Sequence, residues 1–278
     1  PTLIFAKMCD SEQLNDVLAS ATTINKSINL NCSAQLSKNA KVTKQILFEG
    51  QSASNITLDC NGATIESTSN PAILIQSVKQ AQGWSVPKNI TIKNCIVNEA
   101  IRIHGMGRNG ESAEVKASST SLGHTQRVVQ AAPSNIILDN LTLLAGNSNM
   151  LYLAPGVNQV TVKNSTFKGQ AGSLTIYLDA ESQYNRIENN VFDVQTPSRE
   201  LIAVDGSAHN VISGSQFIHP KHGAIFLYRN CGEGGTIRHQ TPSYNIISNN
   251  SFKLNKHLKQ PVIWLGSRNG NRNYCDLD

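Results

Sequence analysis

Ala100-Ile101-Arg102-Ile103-His104, Met150-Leu151-Tyr152-Leu153-Ala154, Thr175-Ile176-Tyr177-Leu178-Asp179, Leu201-Ile202-Ala203-Val204-Asp205 and Ala224-Ile225-Phe226-Leu227-Tyr228 fit one template, which Val262-Ile263-Trp264-Leu265-Gly266 continues. The second and fourth positions are aliphatic, the third is mostly aromatic and the fifth is often polar. A short strand that returns this way is the signature of a parallel β-solenoid. Side chains alternate across a strand, so the aliphatic pairs face inward and positions three and five share the outer face.

Working outward, Gln45-Ile46-Leu47-Phe48-Glu49 and Ala72-Ile73-Leu74-Ile75-Gln76 extend the template toward the N-terminus. Counted at the second inward residue, the copies recur at intervals of 27, 28, 50, 25, 26, 23 and 38 residues. Intervals near 25 fit one coil of three strands. The long intervals hold polar insertions at 107–131 and 230–243, and the first of these is either a loop or a decorated coil. Insertions on a rigid scaffold are where function tends to sit. Residues 10–20 read as a short amphipathic helix with Ser11 as N-cap. It lies within an N-terminal cap, 1–23, that covers the open end of the solenoid. Residues 1–278 then form one continuous domain.

A second motif recurs between the copies, in SNIILDNLTL (134–143), NQVTVKNSTF (158–167), YNRIENNVF (184–192), HNVISGSQF (209–217) and YNIISNNSF (244–252). Asn tolerates the left-handed conformation at a turn and can bond to the next coil. Phe167, Phe192, Phe217 and Phe252 are expected to stack inside. On these residues, over roughly 45–270, the chain resembles the repeats of the pectin-lyase-like superfamily. The resemblance implies an all-β fold, a right-handed single-stranded parallel β-helix with a short N-terminal capping helix. It also implies polysaccharide handling, as in the lyases, glycoside hydrolases and epimerases of that superfamily. The Asn-Thr-Asp, Asp-Asp, Gly-His-Gly and Arg-Ile-Lys motifs of polygalacturonases are absent, as is the Asp-Pro-His-Asp motif of alginate epimerases. The resemblance therefore names no reaction.

Composition agrees with a turn-rich β protein: 15% of residues are charged and 39% hydrophobic. The net charge of +5 suits an anionic partner but carries no basic run, so nucleic acid is not expected. No apolar stretch is long enough to span a bilayer. Six cysteines without a CxxC pair argue against zinc and for an oxidising location, secreted or periplasmic, with any signal peptide removed or omitted. Cys231 and Cys275 are candidates for a bridge tying down the C-terminal tail. Cys60 and Cys95, at similar places in successive coils, read as buried free thiols.

The outer columns carry the candidate chemistry. Position three gives Arg102, Tyr152, Tyr177, Ala203, Phe226 and Trp264, a ladder whose flat rings suit the faces of sugars. The alternative is that an insertion covers the strip and makes it a second small core. Position five gives His104, Ala154, Asp179, Asp205, Tyr228 and Gly266. Asp179 and Asp205 come from consecutive coils, roughly 5 Å apart, the separation of a retaining glycosidase pair. With Glu181 they would equally make a Ca²⁺ site, since Ca²⁺ takes oxygen ligands. A solvated acidic turn is the remaining reading. Elimination on a uronate instead needs a cation for the carboxylate and a base for the C5 proton, and Arg229, Arg268, His239, Tyr177 and Tyr228 gather near enough to supply them. His104 lies two or three coils from Asp179, depending on what the long interval holds. His124, His209, His219, His222 and His257 read as solvated loop residues.

The expectation is thus an exported protein acting on an acidic polysaccharide as a lyase or a glycoside hydrolase. Asp179, Asp205, Arg229, His239 and Tyr228 would be catalytic. Tyr152, Tyr177, Phe226, Trp264, Arg268, Glu181, Arg102 and His104 would bind substrate, with Ca²⁺ as a possible cofactor. The rivals are a non-catalytic carbohydrate-binding module, such as an adhesin or phage-tail part, and a purely structural solenoid.

Overall fold

The computed structural model describes residues 7–230, 232–255 and 258–268. Three parallel sheets, of nine, eight and eight strands, run the length of the described chain as a parallel β-helix. The template copies form the first sheet, from Ser27–Asn29 and Gln45–Glu49 through Ile225–Tyr228 to Ile263–Leu265. Their register is the one the columns imply: Phe48, Ile75, Ile103, Leu153, Leu178, Val204, Leu227 and Leu265 form one continuous row. All but Leu265 are buried.

Ile103 pairs directly with Leu153, so the 50-residue interval adds no extra strand to this sheet. The insertion at 107–131 instead folds as two short helices, Ala113–Ser119 and His124–Gln130, between the first sheet and the second. His104 is therefore two coils from Asp179.

The second and third sheets come from the Asn-containing motif. Phe167, Phe192, Phe217 and Phe252 stack at centroid spacings of 4.8, 4.6 and 5.0 Å, as expected. Asn94, Asn140, Asn164, Asn189 and Asn249 occupy the left-handed region at the turn between these sheets. Their amides bond along the axis, with Asn140 Nδ2 donating to Asn94 Oδ1 at 2.8 Å. A second, buried set is less obvious in the sequence. Asn185 and Asn210 accept from the backbone of the preceding coil at 3.0 Å, from Val160 N and Asn185 N. Each thus satisfies an amide that the turn would otherwise leave unpaired.

The N-terminal helix spans Ser11–Leu18 and packs Leu14, Val17 and Leu18 against the core. Its N-cap is Asp10 rather than Ser11. The Asp10 carboxylate accepts from Gln13 N while the Gln13 side chain accepts from Asp10 N, a reciprocal box that Ser11 is one residue too late to make. Cys60 and Cys95 are not free thiols: they form a disulfide, as do Cys9 and Cys32. Equivalent residues of stacked coils lie about 4.8 Å apart, inside the Cα range a disulfide needs, and both pairs measure 4.9 Å. Cys231 and Cys275 lie outside the described residues. Among the described residues no helix is long and apolar enough to cross a membrane.

Candidate functional site

The strands Ile176–Leu178 and Ile202–Asp205 are neighbours, with Leu178 opposite Val204, which sets Asp179 beside Asp205 on the outer face. That face is not open. Asp179, Glu181 and Asp205 are at most 1% exposed. The two insertions close over them. Gly110 N, from the helical insertion, donates to Asp179 Oδ2 at 3.0 Å. From the other insertion, Arg238 Nη1 donates to Asp179 Oδ1 at 2.5 Å. The two covers also touch each other: a Cβ on Gly110 would stand 2.5 Å from Arg238 Nη2, so only glycine leaves room for the guanidinium. Ile237 N donates to Ser119 Oγ at 3.0 Å, and His239 Nε2 donates to the Ser119 carbonyl at 2.7 Å.

Each carboxylate is spoken for by protein donors. Asp179 also accepts from Ala180 N at 2.8 Å and from the Tyr152 hydroxyl. Asp205 accepts from Asn230 N at 2.8 Å, Asn230 Nδ2 at 2.9 Å and the Tyr177 hydroxyl at 2.5 Å. Glu181 accepts from His239 N at 2.7 Å, Gln240 N at 3.1 Å and the Thr125 hydroxyl. Burial, then the neighbouring Asp179 charge, raises the affinity of Asp205 for a proton, against the opposing charge of Arg238. Burial would weaken Arg238 as a cation, but the Asp179 and Asp205 carboxylates outweigh it and hold the guanidinium charged. Burial and the facing carboxylates push both tyrosine hydroxyls well above the usual range, so they remain protonated donors.

This arrangement corrects the outer strip as read from the sequence. Tyr152, Phe226 and Tyr228 are buried and Tyr177 is half-buried. Leu174, Ala203, Phe226 and Tyr228 make a second apolar cluster with Tyr177 packed on it, so the covered core is the reading that holds here. Trp264 and Arg268 sit at its rim, Trp264 edge-on to Phe226 at 5.4 Å and the Arg268 guanidinium 4.7 Å over the Tyr228 ring. The Tyr228 hydroxyl donates to Glu200 Oε1 at 3.1 Å and accepts from Arg199 Nη2 at 2.6 Å, which ties it to the Arg199–Glu200 ion pair rather than leaving it a base. Arg229 is half-buried, and His239 fastens the two insertions together. Among the described residues no three His, Cys, Asp or Glu side chains converge as a cation site. Asp179, Asp205 and Glu181 do not fit Ca²⁺: their oxygens already accept N–H and O–H groups, and the Arg238 guanidinium supplies the positive charge beside Asp179. His124 and His222 are buried rather than solvated.

Beside this closed cluster lies an open one. A cavity of about 410 Å³ is lined by Asn70, Pro71, Arg102, His104, Arg108, Asn109 and Tyr152. Arg102 and His104 are positions three and five of one strand, and Arg102 pairs with Tyr152 of the next. The Arg102 guanidinium lies 5.1 Å over the Tyr152 ring. Burial, and then the charges of Arg102 and Arg108, push the His104 imidazole down to about 4, so it is neutral at pH 7. Its Nε2 is buried with no hydrogen-bond partner, an unmet polar atom of the kind that calls for a reason. No carboxylate is among the described residues that line the cavity. Tyr152 joins the two clusters, because its hydroxyl reaches Asp179 while its ring forms the cavity wall.

Arg102, His104 and Tyr152 were all visible as column members in the sequence. Arg108 and Asn109 were not singled out, because their return to the mouth of the solenoid depends on the path of the insertion. Arg199, Glu200 and Asn230 lie just outside the template and gave no periodic signal. No family model, no curated protein and no solved structure matches the chain.

Proposed function

We propose that the protein is an exported, polysaccharide-active β-helix, related in kind to the pectin-lyase-like superfamily it resembles, and that its arginine-lined cavity takes a uronate unit of an acidic chain and cleaves it by β-elimination. The observation that carries the reading is the lining itself: two arginines, a neutral imidazole and the ring of Tyr152, with no carboxylate among the described lining residues. Hydrolysis needs two carboxylates facing the sugar, and Asp179 and Asp205 are sealed away from it. Elimination needs a cation to neutralise the substrate carboxylate, a base and a proton donor.

In this reading Arg102 and Arg108 hold the uronate carboxylate and make the C5 proton acidic. An anion seated between them cancels the charges that help depress His104, and the imidazole then takes that proton. The C5 electron pair becomes the C4–C5 double bond and the C4–O4 bond breaks. The departing O4 takes its proton from solvent in the open cavity, and His104 gives the C5 proton back to solvent. Asp179 orients the phenol. The two disulfides accord with an oxidising compartment outside the cytoplasm.

The test is incubation with polygalacturonate, alginate and glycosaminoglycans, following unsaturated uronate by ultraviolet absorbance and new ends by reducing-sugar assay. Absorbance that is lost in Arg102→Gln supports the proposal. Reducing ends without absorbance mean hydrolysis and overturn it. Binding with neither means a non-catalytic module.

A further inference from the structure

A different face of the solenoid carries a second surface. At the start of the second sheet one residue per coil adopts the left-handed conformation. In four successive coils that residue is an amide, Asn55, Asn89, Asn135 and then Gln159, with φ between 55° and 61°. This is the residue type the conformation tolerates. The next three coils carry Tyr184, His209 and Tyr244 at φ 55°, 57° and 58°. Strand register places all seven in one line. A tyrosine in this conformation is an outlier, and such outliers persist where something holds or uses them.

The rings do not go inward. Tyr184 and Tyr244 are 52% and 78% exposed, and the three rings stack at 4.8 and 4.9 Å. The amide end is organised too. Asn89 Nδ2 donates to Asn55 Oδ1 at 2.8 Å, and Asn135 Nδ2 to Asn89 Oδ1 at 2.7 Å. Asn55 and Asn89 form one wall of a cavity of about 460 Å³ whose other walls include Trp84, Gln130 and Lys88, the one charged residue among the described lining residues. The line therefore runs from a tryptophan-walled cavity, over amides, to an exposed aromatic stack. Six coil steps of about 4.8 Å make it roughly 29 Å long.

We propose that this line is a glycan-binding strip, distinct from the arginine cavity, that holds an extended polysaccharide through its hydroxyls and ring faces. The chemistry selects the occupant. None of the seven is an acidic, lysine or arginine side chain, so neither a nucleic-acid backbone nor a carboxylate is the group this line reads. Amides and phenols presented once per coil match a polymer that offers hydroxyl groups at a similar repeat. Aromatic rings with polar edges suit partners that are apolar on one side and wet on the other. The strip does not depend on cleavage at the other site.

The experiment uses the full chain and hexamers of chitin and β-glucan, which carry no carboxylate for the arginine cavity, as probes, titrated calorimetrically at low and at high salt. At least one hexamer is expected to bind with an affinity that salt barely changes, because no ion pair is involved. Tyr184→Asn with Tyr244→Asn, which restores the residue type of earlier coils, should weaken that binding about tenfold and leave the melting temperature unchanged or higher. Arg102→Gln should leave it intact. No binding of any hexamer, or affinity unchanged in the double tyrosine variant, overturns the strip. Binding lost in Arg102→Gln assigns the glycan to the cavity and overturns it as well. Retained strip binding together with no unsaturated product from any uronate polymer leaves the strip standing and removes the cleavage reading instead.

Discussion

The Tyr152 hydroxyl donates to Oδ2 of Asp179, one coil further along, so the wall of the open cavity and the sealed acidic cluster share a hydrogen bond. A bond to a charged acceptor is worth about 1.5–3 kcal/mol, and it also fixes where the phenol points. Tyr152→Phe is expected to lower unfolding free energy by about 2 kcal/mol in urea titrations. Its more specific consequence is kinetic. The Tyr152 ring carries the Arg102 guanidinium, so a phenol released from Asp179 lets Arg102 shift, and product formation falls through a raised KM with kcat little changed.

Asp179 and Arg238 form a buried ion pair between a strand end and an insertion, both at most 6% exposed. Removing one partner strands the other charge away from water, which costs about 3–5 kcal/mol. Asp179→Asn is therefore expected to destabilise strongly. Arg238→Met in the same chain should recover part of the loss, because the pair is then replaced by neutral groups. A double-mutant cycle by chemical denaturation measures the coupling. Equal and additive losses in the two single variants would falsify the pairing.

Most of the coil was legible because it repeats. The inward aliphatic pairs and the Phe167–Phe252 row each recur at one place per turn of the solenoid, and stacking is the only way such residues are buried together. The site was half legible for the same reason. Arg102, His104 and Tyr152 stand in columns, so alternation alone put them on one face. What alternation cannot supply is the cover. Asp179 and Asp205 look like an exposed acidic pair until Gly110 and Arg238 arrive from segments 69 and 59 residues away. The exposed Tyr184 and Tyr244 and the half-buried His209 between them stand within the quoted motif, but a left-handed backbone at each is a property of the turn and not of the residue type. The disulfide was the nearest miss: similar places in successive coils are the geometry a bridge requires.

That bridge makes its own prediction. Cys60 and Cys95 close a segment with a sequence separation of 35 residues. Loop-closure entropy for such a segment is worth about 4 kcal/mol in the unfolded chain. Cys60→Ser with Cys95→Ser should lower the denaturation midpoint accordingly, and a reducing agent should lower that of the unmodified protein at least as far. A midpoint indifferent to reductant would mean that the thiols are free in solution.

Acid sensitivity tests the cavity histidine. Burial and the two arginines hold His104 at about 4 in the folded protein, against about 6.5 in the unfolded chain. Between those values the unfolded state binds the proton and the folded state does not. Stability is therefore fully present above pH 6.5 and falls as pH drops toward 4, by about 3 kcal/mol in total for this residue. His124, buried near His239 and Arg127 and also held at about 4, adds a fall in the same window. Gln76 is the register neighbour of His104, so His104→Gln places a side chain that the column already accepts. That variant should unfold less steeply with acid between pH 6.5 and 4 while keeping the residual slope due to His124, read as melting temperature against pH. Binding of an acidic oligosaccharide should shift the unmodified protein the other way, since an anion between Arg102 and Arg108 raises the proton affinity of His104. Proton uptake on binding, measured by calorimetry in buffers of different ionisation enthalpy, should then appear below neutral pH and vanish in His104→Gln. Uptake that persists in the variant would place the titrating group elsewhere and remove His104 from the proposed proton transfer.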